Sequence, residues 1–166
     1  MTSIKIQPMT PSLREARLPA DLPALQTVIR EYVAWLGIDL SYRGFEQEMA
    51  VFGDLFTLPS GLFLIAEVGG ELAGCCGLLR HDLQVAEVKR LYVRPAFRGL
   101  ALGERLVQAV MGRARELGFA RLILDAVPPT VAAQALYVRL GFVEIAPYYP
   151  APLPGTRFFQ FDLNDH

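Results

Sequence analysis

The stretch from Val85 to Gly118 constrains this chain more than any other. An apolar run, Val85 to Val93, is cut by Pro95 and Gly99. Leu102, Leu106, Val107, Val110, Ala114 and Leu117 then recur at helical spacing until Gly118 closes the element. A strand that passes through a short basic turn into an amphipathic helix must lay that helix on a sheet, because each buries its apolar side only against the other. A second apolar run, Leu122 to Leu124, follows directly. These elements already exclude an all-helical bundle and an all-β sandwich.

The rest of the chain fits the same layout. Leu22, Leu25, Val28, Ile29, Tyr32, Val33 and Leu36 predict a helix within Leu18 to Leu36, with Asp21 as its N-cap and Gly37 as its stop. Phe45 to Leu55 predicts a shorter helix. Leu62 to Val68 and Leu72 to Leu79, joined by Gly69-Gly70, predict a hairpin, and Val85 to Val93 is entered through a turn at His81-Asp82. Thr130 to Leu140 predicts another helix, and Phe142 to Ile145 and Arg157 to Leu163 predict closing strands around a proline-rich loop, Pro147 to Pro154. A leading strand is expected near Leu13 to Arg17. The fold class is therefore α/β (or α+β), a mixed sheet with helices on both sides, read as one domain over residues 1–166.

Composition removes several functions. At 52% apolar residues and a net charge of −1, the chain is neither disordered nor a general nucleic-acid coat. No apolar run approaches a membrane span, and Met1 to Thr10 lacks a signal layout, so a cytoplasmic protein is expected. Cys75 and Cys76 are adjacent and read as reduced thiols on opposite faces of one strand. Two histidines and no Cys/His/Asp cluster at ligand spacing point to no metal site. Nothing in the pattern fixes an oligomeric state.

Charge is uneven along the chain. Residues 89 to 121 hold eight of the 16 basic side chains against two acidic ones, Glu104 and Glu116. This local excess suggests an anionic ligand, the alternative being a solvated helix face that accounts for some of these arginines, such as Arg113 and Arg115. The place for it is the turn Arg98 to Gly103, because a helix N-terminus presents unpaired N–H groups and a partial positive charge. The spacing is neither that of a Rossmann fingerprint nor that of a P-loop.

Three segments carry a resemblance: Glu87-Val88-Lys89-Arg90-Leu91-Tyr92-Val93, Arg98 to Gly103, and Ala133-Gln134-Ala135-Leu136-Tyr137 through Gly141-Phe142. Together they resemble the GNAT superfamily of acyl-CoA-dependent N-acetyltransferases, in element order from about residue 12 to residue 163. The family's pyrophosphate loop, Gln/Arg-x-x-Gly-x-Gly/Ala, falls on Arg98, Ala101 and Gly103, so alanine replaces the middle glycine; a helical backbone there would still offer its N–H. Thr130 stands near the place of a common asparagine and is expected to cap its helix or bond the pantetheine arm.

The resemblance implies a splayed sheet. Strand Glu87–Val93 and strand Leu122–Asp125 should part into a V that takes the pantetheine arm of acetyl-CoA. Leu91, Tyr92, Val93, Arg98, Gly99, Leu100, Ala101, Leu102, Gly103, Thr130 and Tyr137 are then the cofactor-binding set. The Val93 N–H would polarise the thioester carbonyl, and the amine would attack directly. The residues agree, since no Ser/His/Asp or Cys/His nucleophile arrangement is present. Tyr137 is the candidate acid for the departing thiolate, or else a core tyrosine. Glu87 is the candidate base, a partly desolvated carboxylate of raised pKa acting through water, or else a strand glutamate paired with Lys89 or Arg90. The acceptor, a small-molecule or peptide amine, would meet Tyr32, Trp35, Asp39, Tyr42, Tyr148 and Tyr149. The function expected is N-acetyl transfer from acetyl-CoA, without nucleic acid or membrane as partner. The alternatives are a non-catalytic acyl-CoA-binding module of the same fold and a generic phosphate-binding domain, and the second leaves the Tyr137 helix unexplained.

Overall fold

The computed structural model describes residues 10–164. Residues 1–9, on which the reading of Met1 to Thr10 rests, lie outside them. Among the described residues, seven strands form one sheet in the order β1-β2-β3-β4-β5-β7-β6. They are β1 (Ser12–Glu15), β2 (Gly61–Val68), β3 (Glu71–Arg80), β4 (Val85–Val93), β5 (Arg121–Ala126), β6 (Val143–Ile145) and β7 (Arg157–Asp162). Only β4 and β5 pair in parallel, because the connection between them is the long helix α4 (Leu102–Glu116). The other pairs are antiparallel.

Two apolar cores sandwich the sheet. α4 and α5 (Val131–Leu140) cover one face, where Leu64, Cys76, Val88, Leu106, Val110 and Phe159 pack. α1 (Leu22–Leu36), α2 (Phe45–Ala50) and α3 (Phe52–Leu55) cover the other, with Ile29, Phe52, Phe63, Ile65, Cys75 and Tyr92. Cys75 and Cys76 thus point to opposite faces, as the two-residue period of a strand requires, and both are fully buried. Burial pushes the Cys75 thiol up to about 12, which suits packing rather than reactivity.

Two local expectations change. The helix expected over Phe45 to Leu55 is broken at Val51, which leaves helical dihedrals at φ −114°, ψ 21°; a β-branched residue followed closely by Gly53 is a weak place in a helix. Asp21 precedes α1, yet its side chain does not cap the helix. Its carboxylate turns back instead, accepting 2.7 and 2.9 Å bonds from the Arg14 guanidinium and one of 2.6 Å from the Arg17 N–H. A bidentate charged partner outcompetes a helix N–H.

Candidate active site

The parallel pairing of β4 with β5 lasts only from Val85–Arg121 to Glu87–Ile123. Beyond Glu87 the strands part, and the β4 edge from Val88 to Val93 faces an opening. Arg94 directs its N–H to the Ala73 carbonyl on β3, at 2.8 Å. Since successive residues alternate across a strand, the Val93 N–H and C=O point the other way, into the opening. Arg98 lies there as well, its Nε donating to the Val93 carbonyl at 3.4 Å.

β4 is also bulged. Cys75 pairs with Tyr92 and Gly77 with Lys89, so β4 carries one more residue than β3 between these pairs. The irregularity coincides with Arg90 at φ 56°, a left-handed conformation that a non-glycine residue seldom adopts. Glu48 of α2 anchors it. The buried carboxylate meets Arg90 Nη2 at 3.1 Å and Lys89 Nζ at 2.9 Å. Burial pushes the Glu48 carboxyl up, but the charges of Arg90 and Lys89 outweigh it and hold the group below its ordinary value.

This pairing revises the expectation from charge. Glu48 answers Lys89 and Arg90, Glu31 answers Arg94 at 3.2 Å, and Glu116 answers Arg113 at 2.6 Å. Part of the basic excess of residues 89 to 121 is therefore a property of the linear sequence, since Lys89, Arg90 and Arg94 are balanced in space by acids from other elements. Arg98 differs: it is exposed and its guanidinium lies 5.5 Å from the centre of the Trp35 ring, at the mouth of the opening.

Gly99 and Ala101 both have positive φ, 90° and 56°. The expected helical backbone at Ala101 is therefore not found. Ala101 is the left-handed N-cap of α4, the conformation for which glycine is suited and which strains an alanine. Leu102 is buried in the core, so only its backbone can meet a ligand; Gly99, Leu100 and Ala101 are exposed. Thr130 is the N-cap of α5, but its hydroxyl donates backwards to the Val127 carbonyl at 2.7 Å and does not cap the helix.

Two adjoining cavities fill the opening. One, about 270 Å³ and mainly apolar, is lined by Trp35, Leu91, Tyr92, Val93, Gly103 and Leu136 among others. The second, about 50 Å³, lies deeper and includes Tyr32, Tyr42, Arg43, Asp125 and Tyr137 in its lining. Tyr32, Leu91, Thr130 and Ala133 border both. The Tyr92 side chain leaves this path, its hydroxyl donating to Glu31 at 3.1 Å.

Tyr137 is 6% exposed, its ring against Phe142 and Phe159 and one side on the deeper cavity. Burial pushes its hydroxyl well above the ordinary tyrosine value. Tyr137 is thus a core ring that also borders the cavity.

Glu87 is buried and does not line the cavity among the described residues. Its Oε2 accepts from Tyr148 Oη and, at 3.3 Å, from Arg43 Nη2; Lys89 Nζ is 3.9 Å from Oε1. The pairing with Lys89 is present, whereas Arg90 turns to Glu48. Tyr149 donates to Asp125 at 2.6 Å and its ring carries the Arg43 guanidinium at 3.9 Å. Burial, then the Glu87 charge, raises the Tyr148 hydroxyl; burial, then the bond to Asp125, raises that of Tyr149. Of the six residues expected around the acceptor, Asp39 is elsewhere, exposed and accepting the Ser41 N–H at 2.9 Å.

Arg43, Asp125 and Glu48 were not among the expected residues. Asp125 had a signal, a charged residue near the end of an apolar parallel strand. Arg43 and Glu48 had none, since their partners lie more than 40 residues away. Among the described residues, no group of three or more His, Cys, Asp or Glu is placed to hold a metal ion. Nor is any helix among them long and apolar enough to cross a membrane.

Comparison with known proteins gives a consistent answer. Residues 29–142 match the model of the acetyltransferase (GNAT) family. An uncharacterised N-acetyltransferase of Schizosaccharomyces pombe is 31% identical over 163 residues, covering 96% of this chain and 99% of its own. The Escherichia coli uncharacterised N-acetyltransferase YjgM is 32% identical over 145 residues, covering 84% and 86%. Among solved structures, yncA of Salmonella typhimurium, a putative acetyltransferase determined with its cofactor acetyl-CoA, superposes with a TM-score of 0.71. It is 22% identical and covers 95% of this chain and 96% of its own.

Proposed function

The chain belongs to the GNAT acetyltransferase family and is an acyltransferase; from that premise we propose that it moves the acetyl group of acetyl-CoA to a primary amine of a small molecule or peptide. One observation carries this reading: the parting of β4 from β5 after Glu87, which leaves a free β4 edge beside an apolar slot of about 270 Å³. Acetyl-CoA was found in yncA, a protein of the same fold.

The residues present fit that co-substrate. The exposed turn Arg98-Gly99-Leu100-Ala101 and the first N–H groups of α4, at Leu102 and Gly103, suit its phosphates. Leu91, Tyr92 and Val93 supply the strand edge against which an extended amide-containing arm can pair, with Thr130 on the facing side. When bound, acetyl-CoA supplies an activated acyl carbonyl and a thiol leaving group.

The chain's own groups do the rest. The Val93 N–H points into the opening and donates to the carbonyl oxygen as negative charge grows there; one such donor lowers a barrier by ~3 kcal/mol. The Tyr137 hydroxyl, kept protonated by burial, donates to the departing sulfur. Glu87 holds Arg43 at the cavity wall, and the amine's proton passes to the cavity-facing Asp125 or to water beside it. The purified protein tests this directly. With acetyl-CoA and a panel of primary amines, free thiol should appear only with certain amines, and acetyl-CoA should raise the melting temperature more than ATP or NAD at equal concentration. Equal shifts from all three, with no amine-dependent thiol, refute the reading.

A further inference from the structure

We infer that the acceptor is a free α-amino acid, its ammonium docked on Asp125 and its carboxylate on Arg43. This rests on the proposed acetyl transfer and adds the substrate class. Among the described residues, the deeper cavity is lined by one carboxylate, Asp125, and three cations, Arg43, Lys89 and Arg90. Lys89 and Arg90 are both bonded to Glu48. Asp125 accepts from Tyr149 on one oxygen and Arg43 donates to Glu87 from one nitrogen, so this adjacent pair keeps an acceptor oxygen and further donors for a ligand in the cavity they line.

Arg43 has donors to spare. A guanidinium carries five N–H groups. One of Arg43's is given to Glu87 at 3.3 Å, while Asp125 lies 3.7 Å from Nε, an ion pair longer than a hydrogen bond. The Tyr149 ring at 3.9 Å fixes the plane of the fork, and a planar fork is the geometry that takes a carboxylate through two parallel bonds.

Spacing selects the α-amino acid. The two site charges are 3.7 Å apart, so they call for a ligand whose own opposite charges are adjacent. Backbone bond lengths put an α-amino nitrogen about 2.5 Å from its carboxyl carbon. Longer ω-amino acids separate the charges too far, and polyamines or peptide N-termini bring an ammonium without the neighbouring carboxylate. Size agrees, because a cavity of about 50 Å³ holds roughly four water-sized groups, enough for an amino acid head and too little for a folded chain end.

The reaction balances without further reagents. The ammonium gives one proton to Asp125 or solvent, and the neutral nitrogen forms the N–C bond as the C–S bond breaks. The second proton ends on the thiol. Tyr32, Leu91, Thr130 and Ala133 line both cavities, so the docked head adjoins the slot proposed for acetyl-CoA.

The experiment is a free-thiol assay of the intact protein with acetyl-CoA and each of the twenty standard amino acids, their carboxamides, β-alanine, dipeptides and alkylamines. At least one α-amino acid should be acetylated, with kcat/KM about 10-fold or more above its own carboxamide, since a site built around a carboxylate leaves donors unpaired on the amide. In Arg43→Gln that acid-to-amide ratio should collapse toward one. The wild-type ratio alone decides the matter should the variant fail to fold. Acetylation of amines, amides or dipeptides in preference to amino acids overturns the inference while leaving acetyl transfer standing. Binding of acetyl-CoA with no turnover of any amino acid overturns it too. An absence of acetyl-CoA binding removes the underlying function instead.

Discussion

Arg43 and Glu87 meet where the sheet begins to splay, Nη2 of the first 3.3 Å from Oε2 of the second. The contact joins the turn after α1 to the last residue of β4 that pairs with β5, and it leaves the Glu87 carboxylate bonded to an arginine that lines the cavity. Glu87→Gln and Asp125→Asn separate the two roles. Asp125→Asn should lower kcat/KM by about 100-fold, because it removes the cavity-facing carboxylate. Glu87→Gln should act mainly on KM for the acceptor, with kcat nearly kept. The reverse pattern in steady-state kinetics would make Glu87 the base.

Tyr137→Phe keeps the ring against Phe142 and Phe159 and removes only the hydroxyl. With the hydroxyl donating to the leaving sulfur, kcat should fall by roughly 10- to 10⁴-fold with acetyl-CoA affinity nearly unchanged. With a purely structural hydroxyl, the variant would lose ~1 kcal/mol of stability and keep its turnover. Titration with acetyl-CoA and a turnover assay on one preparation distinguish these outcomes.

Ala101 sits at φ 56° before α4, where a side chain is strained. Ala101→Gly should therefore stabilise the protein by up to about 1 kcal/mol. A higher urea midpoint at unchanged slope is the expected readout. Gly99→Val, at φ 90°, should strain the same turn and weaken acetyl-CoA binding.

Glu48 makes a pH-dependent contribution. Its carboxyl is held below the ordinary 4.5, so its ion pairs stabilise the folded state above that pH and are lost as pH falls through the lower folded value. At neutral pH, Glu48→Gln takes from Arg90 and Lys89 the carboxylate they share and leaves Lys89 the longer contact to Glu87 at 3.9 Å, a loss of up to ~3 kcal/mol. Urea unfolding of both proteins should show that difference at pH 7 and a smaller one near pH 3. A pH-independent difference would mean that packing, not charge, sets it.

The order of elements was legible because it is written in local periods. The Val85–Val93 strand, the Gly69-Gly70 hairpin and the helix ending at Gly118 each follow from spacing within a dozen residues. The turn at Arg98 to Gly103 was legible for the same reason, being a break between two such periods. Even there the backbone at Ala101 was misjudged, since alanine gives no hint of a left-handed φ.

The charged half of the site came only with the tertiary structure. Arg43, Glu48, Glu87 and Asp125 belong to four different elements, and which of them meet depends on how far β4 and β5 stay paired and where the Tyr148–Tyr149 loop returns. Local sequence thus determined the strands, the helices and the glycine-containing turn from Arg98 to Gly103 of this acetyltransferase. The partners of its buried charges were decided by topology, because Coulomb and hydrogen-bond energies depend on distance in space and carry no period along the chain.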